Sequence, residues 1–123
     1  MEAITEPISV KGFGMEKGKL GVSDNDLDQM TGIFRLLSDK TRLNILMLLA
    51  EGERNVTSLC EELQLPQPTV SHHLGLLRMS QVIDNRRAGK QVFYSLNGRF
   101  GIGQNEGIEV NAGNYTIRVL PRV

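Results

Sequence analysis

The segment from residue 55 to residue 79 constrains the fold most, because two short helical patterns lie there with only a tight turn between them. Asn55 or Thr57 can cap the first pattern. Leu65 to Pro68 form the turn. The second pattern runs from about Gln67 to Met79, and proline is tolerated in its first turn, where the N–H groups lack helical partners. The segment predicts a helix-turn-helix.

The second of these helices is predicted to have two different faces. On a wheel of 3.6 residues per turn, Val70, Leu74 and Leu77 fall together. The opposite side carries Ser71, His72, Gly75, Arg78 and Met79. We therefore expect one face to pack and the other to be free.

The flanking segments complete a winged helix. Ser23 begins an amphipathic first helix, and Ser38 with Asp39 begins a second helix, whose apolar run from residue 43 to residue 50 belongs in the core. After the helix-turn-helix, a basic stretch is followed by the β-formers of residues 92–96. This pattern predicts a β-hairpin, with a wing over residues 84–92.

Glycine-rich sequence lies at both ends of the chain. Residues 1–22 have no apolar period and are expected to form a flexible arm. Residues 98–123 are expected to form a glycine-rich extension with a second hairpin, in which Asn111 to Asn114 separate two strands. The predicted fold class is mainly α with a small β component, and the winged helix spans residues 23–97.

The distribution of charge favours a DNA partner, although the net charge is zero. Residues 1–30 carry three Lys against six acidic residues, whereas residues 64–100 carry five basic residues against Asp84. Such an asymmetry is typical of a chain in which one basic face meets phosphates, although a patch of this size also arises by chance.

Three blocks in order, LSDKTRLNILMLL, LCEELQLPQPTVSHHLGLLR and VIDNRRAGKQVFYSL, closely resemble the ArsR/SmtB family of bacterial winged-helix repressors. The resemblance covers about residues 33–96. It implies a homodimer that sits on operator DNA and leaves it when a small ligand, often a metal ion, binds.

The sequence departs from that family in four places. Asn55 and Thr57 stand where its metal sensors have a Cys-x-Cys pair, and no His follows His73 to supply a zinc or nickel site. We therefore expect that the protein binds no metal and no cofactor. A non-metal signal of unknown nature is expected to release it from the DNA. The glycine-rich extension replaces the usual last helix, so dimerisation is expected to rest on the first helix, aided by the second hairpin. Pro66 replaces a capping Ser.

The predicted DNA contacts follow from the docking of a helix in the major groove with its N-terminal residues at the base edges. Four residues are predicted to meet bases or nearby phosphates: Gln67, Thr69, Ser71 and His72. Four more are predicted to meet the DNA backbone: Arg78, Arg86, Arg87 and Lys90. The alternative interpretation is that all are solvated polar residues of a helix and a hairpin tip.

The roles of several other side chains can be interpreted in more than one way. Adjacent helical residues point about 100 degrees apart, so His72 and His73 are not expected to hold one metal ion. His73 is instead predicted to be a packed, hydrogen-bonded core histidine. Arg42 could reach a phosphate or an internal acid. Cys60 is expected to be a small buried residue, with a redox-sensing or ligand-binding thiol as the alternative.

Other functional classes are less well supported by the sequence. It contains no nucleophile paired with a base, no plausible carboxylate pair and no phosphate-binding glycine loop. We therefore do not expect this protein to be an enzyme. No stretch approaches the roughly 20 apolar residues of a membrane span, and a single cysteine suits a reducing compartment, so a cytoplasmic protein is expected. A winged helix that binds another protein, through the C-terminal hairpin, is the alternative to a DNA-binding repressor.

Overall fold

The computed structural model describes residues 21–103 and 106–122. Its helices are α1 (Asp24–Leu37), α2 (Lys40–Glu51), α3 (Val56–Leu63) and α4 (Gln67–Met79). Its strands are β1 (Arg54–Asn55), β2 (Ile83–Ala88), β3 (Gln91–Leu96), β4 (Phe100–Ile102), β5 (Ile108–Ala112) and β6 (Tyr115–Val119). The predicted winged helix with C-terminal strands is confirmed. The predicted flexible arm, residues 1–22, lies outside the described residues except for its last two positions.

The helix starts are set by local hydrogen bonds. The Ser23 side chain accepts from the Asp26 backbone N–H, and the Asp26 carboxylate accepts from the Ser23 N–H, which is a capping box. Asp39 caps α2 through the Arg42 N–H, and Asn55 caps α3 through the Ser58 N–H. These caps satisfy N–H groups that have no partner within the helix, and all three stand at predicted positions.

The wing is an antiparallel hairpin of β2 and β3. Ala88 pairs with Gln91, and Gly89 between them has a φ of 65°, a left-handed conformation that glycine adopts without steric cost. The two-residue strand β1 pairs with β3, with Arg54 opposite Tyr94, and so completes a sheet of order β1-β3-β2. The sequence did not predict β1.

Three strands form the C-terminal sheet, in the order β4-β5-β6. The predicted hairpin is confirmed, with Gly113 at a φ of 65° in its turn, whereas β4 was missed. Paired residues share one face of a sheet, so the register gives this sheet an apolar face. That face carries Phe100, Ile102, Ile108, Val110, Ala112, Tyr115, Ile117 and Val119.

One core serves the winged helix and the C-terminal sheet together. α2 lies at its centre, as predicted, with Ile45 and Leu46 fully buried. Phe100 and Val110 of the C-terminal sheet belong to the same apolar cluster, and β5 and β6 lie against α1. The core therefore continues across residue 97, where the sequence suggested the winged helix would end.

Two polar contacts also fasten the C-terminal sheet. Nδ2 of Asn114, in the hairpin turn, donates to Oδ1 of the buried Asp26 at 3.1 Å. Arg99 donates from Nε to the Asn111 carbonyl oxygen at 2.8 Å and from Nη1 to the Ser80 carbonyl oxygen at 2.6 Å. The sheet is thus held to the start of α1 and to the end of α4. Within the described part of the chain, no helix has the length and apolar character to cross a bilayer.

Candidate nucleic-acid interface

Helix α4 divides into the two predicted faces. Val70, Leu74 and Leu77 are at most 2% exposed and pack into the core. The opposite side is open to solvent, with Gln67, Ser71, His72, Gly75, Arg78 and Met79 exposed. Thr69 is half-buried. The packing face therefore fixes which side chains of α4 an outside partner can reach.

The beginning of α4 is free of a side-chain cap. Pro66 occupies the N-cap, and no side-chain hydrogen bond closes the first turn. Gln67 lies there beside the wing, where it lines an open groove together with Asn55, Lys90 and Gln91. The groove places a polar helix start next to the basic tip of the wing, and such helix starts favour anionic groups.

The basic residues of the wing differ in their surroundings. Arg86 makes a bidentate ion pair with Glu53, with Nε to Oε2 at 2.8 Å and Nη2 to Oε1 at 2.7 Å. Its guanidinium also lies 4.9 Å from the centroid of the Phe93 ring. The hydrogen bond from Arg86 holds the pKa of Glu53 below its ordinary value, and Glu53 in turn raises the pKa of Arg86. Arg86 is thus engaged within the protein.

By contrast, Arg87 and Lys90 are exposed. Arg78 is exposed as well, at the C-terminal end of α4. Among residues 21–103 and 106–122, none of these three side chains forms a hydrogen bond or ion pair. Three basic groups therefore remain available around the open face of α4.

The two histidines of α4 lie in different environments. His72 is exposed, whereas His73 is half-buried and its Nδ1 lies 3.2 Å from Nη1 of Arg42. The packed, hydrogen-bonded His73 matches expectation. Arg42, for which a phosphate or an acid was considered, reaches His73 and the carbonyl oxygens of Leu36 and Arg35 instead. No cluster of three or more metal-ligating residues occurs within the described ranges.

Helix α3 shows what replaces the family's thiolate positions. Asn55 caps the helix through Oδ1, and its Nδ2 donates to Oε1 of Gln91 in the wing at 3.1 Å. Thr57 is exposed. Cys60 was expected to be buried but is half-buried at the edge of the core. Asn55 therefore ties α3 to the wing, which the sequence did not reveal.

Comparison with known proteins places the winged helix in one family. Residues 39–84 match the family described as "Bacterial regulatory protein, arsR family". The HTH-type transcriptional regulator KmtR of Mycobacterium tuberculosis is 37% identical over 81 residues, which are 66% of this chain and 62% of KmtR. The transcriptional repressor SdpR of Bacillus subtilis is 38% identical over 68 residues, which are 55% of this chain and 76% of SdpR. The chain belongs to the arsR family.

A solved structure agrees with this assignment. A possible ArsR-family regulator of Mycobacterium bovis, described as a homodimeric winged helix-turn-helix DNA-binding domain, is 33% identical with a TM-score of 0.55. The match covers 58% of this chain and 67% of that one. The arsR match ends at residue 84, so the C-terminal sheet lies beyond it. The chain is thus a winged-helix member of a family of transcriptional regulators.

Proposed function

We propose that this arsR-family protein is a repressor that binds operator DNA with α4 in the major groove and the wing on the adjacent backbone. The observation that carries the proposal is the open, polar face of α4, flanked by exposed basic groups at the wing tip and at Arg78. A helix of this width fits the major groove, and phosphate contacts at either side would fix its register. The chain would act by binding rather than as an enzyme.

The base contacts in this proposal come from the first turns of α4. Gln67 can pair bidentately with adenine through its amide, and the Ser71 hydroxyl can bond to a base or a phosphate. His72 lies on the same exposed side. Thr69 is half-buried, so its methyl group can contact the protein while its hydroxyl meets the DNA. Specificity would therefore depend chiefly on Gln67, Ser71 and His72.

The phosphate contacts come from Arg78, Arg87 and Lys90, with a smaller share from Arg86. Glu53 already neutralises Arg86 and occupies its Nε and Nη2 groups, so only the remaining donors can reach a phosphate. Because counterion release scales with the phosphates neutralised, these three exposed cations would determine most of the salt dependence.

We further propose a homodimer, as in the M. bovis neighbour. Large apolar side chains remain exposed on α1, on the C-terminal sheet and just after it: Phe34 is 53% exposed, Ile102 46%, Val119 54% and Leu120 55%. Ile102, Ile108 and Val119 stand side by side in the register of the sheet, and we name them the outer row. Exposed apolar rows of this kind mark interaction sites, and a second copy would cover them in a two-fold interface.

The outer row gives a direct test of the dimer by light scattering. Val119→Asp introduces a charge there and should yield a monomer, because an unpaired charge is costly to bury. Thr116→Asp is the matched control, since Thr116 is exposed on the opposite face of the same strand. A dimer unaffected by Val119→Asp, or a wild-type monomer, would refute this interface.

The signal that releases the DNA is proposed to be other than a metal ion, because Asn55 serves as a helix cap and a wing contact where the family's metal sensors have thiolates. We place the protein in the bacterial cytoplasm, where the operator is. Neither the nature of the signal nor the location of the protein affects how α4 and the wing would bind DNA.

The test of the function is fluorescence anisotropy with the DNA upstream of the protein's own coding region and with a scrambled duplex, over a series of salt concentrations. We expect tight binding to the first duplex, weakening steeply with salt, and a clear preference over the scrambled one. Absence of any preference would contradict the repressor and favour a winged helix that binds a protein through its C-terminal sheet.

A further inference from the structure

The guanidinium of Arg42 connects three helices. It belongs to α2, yet its Nε donates to the Leu36 carbonyl oxygen at 2.7 Å and its Nη2 to the Arg35 carbonyl oxygen at 3.4 Å. These carbonyls lie in the last turn of α1, where that of Arg35 also accepts the N–H and the hydroxyl of Ser38. Nη1 then lies 3.2 Å from Nδ1 of His73 on α4. One side chain therefore joins the end of α1 to the candidate recognition helix.

The chemistry of this contact determines which partner donates. An arginine side chain has only donors, so Nδ1 of His73 is the acceptor. A side chain at position 73 therefore needs an acceptor at this point to keep the contact with Arg42.

Other titratable groups act near His73, from the turn before α2 and from α4 itself. Asp39 accepts the backbone N–H of Arg42, and this hydrogen bond holds the pKa of Asp39 below its ordinary value. The ring of His72 meets that of His73 edge to face, with centroids 5.4 Å apart. His73 therefore contacts both the link to α1 and a proposed DNA-binding side chain.

We propose that Arg42 and His73 are positioning residues which hold α4 against the end of α1, and that selective DNA binding requires the hydrogen bond between them. The inference rests on the proposed role of α4 in the major groove. A change at His73 would tilt or rotate α4 at the point where Ser71 and His72 face the DNA. α1 also carries part of the proposed dimer surface. The contact between Arg42 and His73 would therefore couple the spacing of the two recognition helices in the dimer to the orientation of each helix.

The test compares the ratio of operator to scrambled affinity in the wild-type protein and in variants of His73, all of which keep His72. We expect the ratio to fall about tenfold when the acceptor at position 73 is lost, as for a lost hydrogen bond to a charged group.

Two substitutions then separate positioning from simple packing. His73→Asn keeps an acceptor near the place of Nδ1, so the ratio should stay close to that of the wild-type protein. His73→Leu fills the space without an acceptor and should lower the ratio about tenfold. Thermal unfolding of each free protein checks the fold, and the Asn variant provides the result if the Leu variant does not fold.

The outcomes are distinguishable from those of the proposed function. No operator preference in the wild-type protein would overturn the repressor and this inference with it. Operator preference that is lost in a folded His73→Asn variant would overturn the inference alone, as would a His73→Leu variant that folds and selects DNA like the wild-type protein.

Discussion

The winged helix and the C-terminal sheet share one core but present opposite kinds of surface. The exposed side of α4 is mostly polar, with exposed Arg87 and Lys90 on the neighbouring wing, whereas the outer row of the sheet is apolar. The first region matches the arsR family and the second lies beyond the match. The difference fits the proposed division of work, in which the winged helix reads DNA and the sheet supplies the surface for a second copy.

The largest expected effect tests whether the two regions are one folding unit. Phe100 is 2% exposed and packs in the common core, so Phe100→Ala should lower the free energy of unfolding by about 3–5 kcal/mol. Urea denaturation monitored by circular dichroism should show a single transition, with its midpoint at a lower urea concentration than in the wild-type protein. Thr116→Ala, exposed on the opposite face of the same sheet, is the control and should cost about 0.5 kcal/mol or less. Two separate transitions would break the single-core description.

The next effect concerns DNA reading alone. Replacing Ser71 and His72 together by Ala should weaken operator binding by about 1–3 kcal/mol, which is tenfold or more, while the thermal midpoint stays unchanged. Both side chains are exposed, so the core loses nothing. Asn44→Ala, exposed on α2, is the matched control in the same anisotropy assay. Loss of folding in the double variant would mean that the packing face of α4 has been misplaced.

A smaller effect on stability is expected from the turn of the C-terminal hairpin. Asn114→Ala removes the donor that reaches the buried Asp26, and leaving that carboxylate with one bond fewer should cost about 1–2 kcal/mol. Thermal unfolding measures the cost, and operator affinity should be unchanged under conditions where the protein is folded. A loss of affinity without a loss of stability would show that the sheet takes part in DNA binding.

The wing gives a graded effect on salt dependence. Lys90→Ala should weaken binding to all sequences alike and reduce the slope of log affinity against log salt by about 1. Arg86→Ala should reduce the slope less, because Glu53 already pairs with Arg86. Equal slopes for the two variants would imply that Arg86 exchanges Glu53 for a phosphate when DNA binds.

The smallest effect is the pH dependence of the pair of Glu53 and Arg86. The pKa of Glu53 is lowered in the folded protein. The contribution of this ion pair to folding stability is therefore present at neutral pH and is lost as the pH falls through the lowered pKa. The chemical shift of the Arg86 Nε–H should titrate in this acidic range. In Glu53→Gln the shift should stay constant, and a persisting titration would assign the effect to another carboxylate.

Local signals made the helices predictable from the sequence. Ser23, Asp39 and Asn55 each cap a helix through a backbone group three residues away, and the spacing of Val70, Leu74 and Leu77 identified the packed face of α4. Such features depend on residues within one or two turns, so periodicity and residue type suffice to find them.

Contacts between distant residues could not be predicted in this way. Arg86 and Glu53 are 33 residues apart, and several other acids were equally plausible partners in the sequence. Arg42 and His73 are 31 residues apart, and their contact depends on how α1, α2 and α4 meet. The strand β1 has two residues and exists only because β3 pairs with it. The apolar row of the C-terminal sheet likewise emerged from strand register.

The most direct test of this division of work is an NMR titration of the 15N-labelled protein with operator duplex. We predict that amide shifts concentrate in residues 67–79 of α4 and at the wing tip, around Arg87 and Lys90, and that those of β5 and β6 remain nearly constant. Large shifts in the C-terminal sheet with little change in α4 would contradict the account.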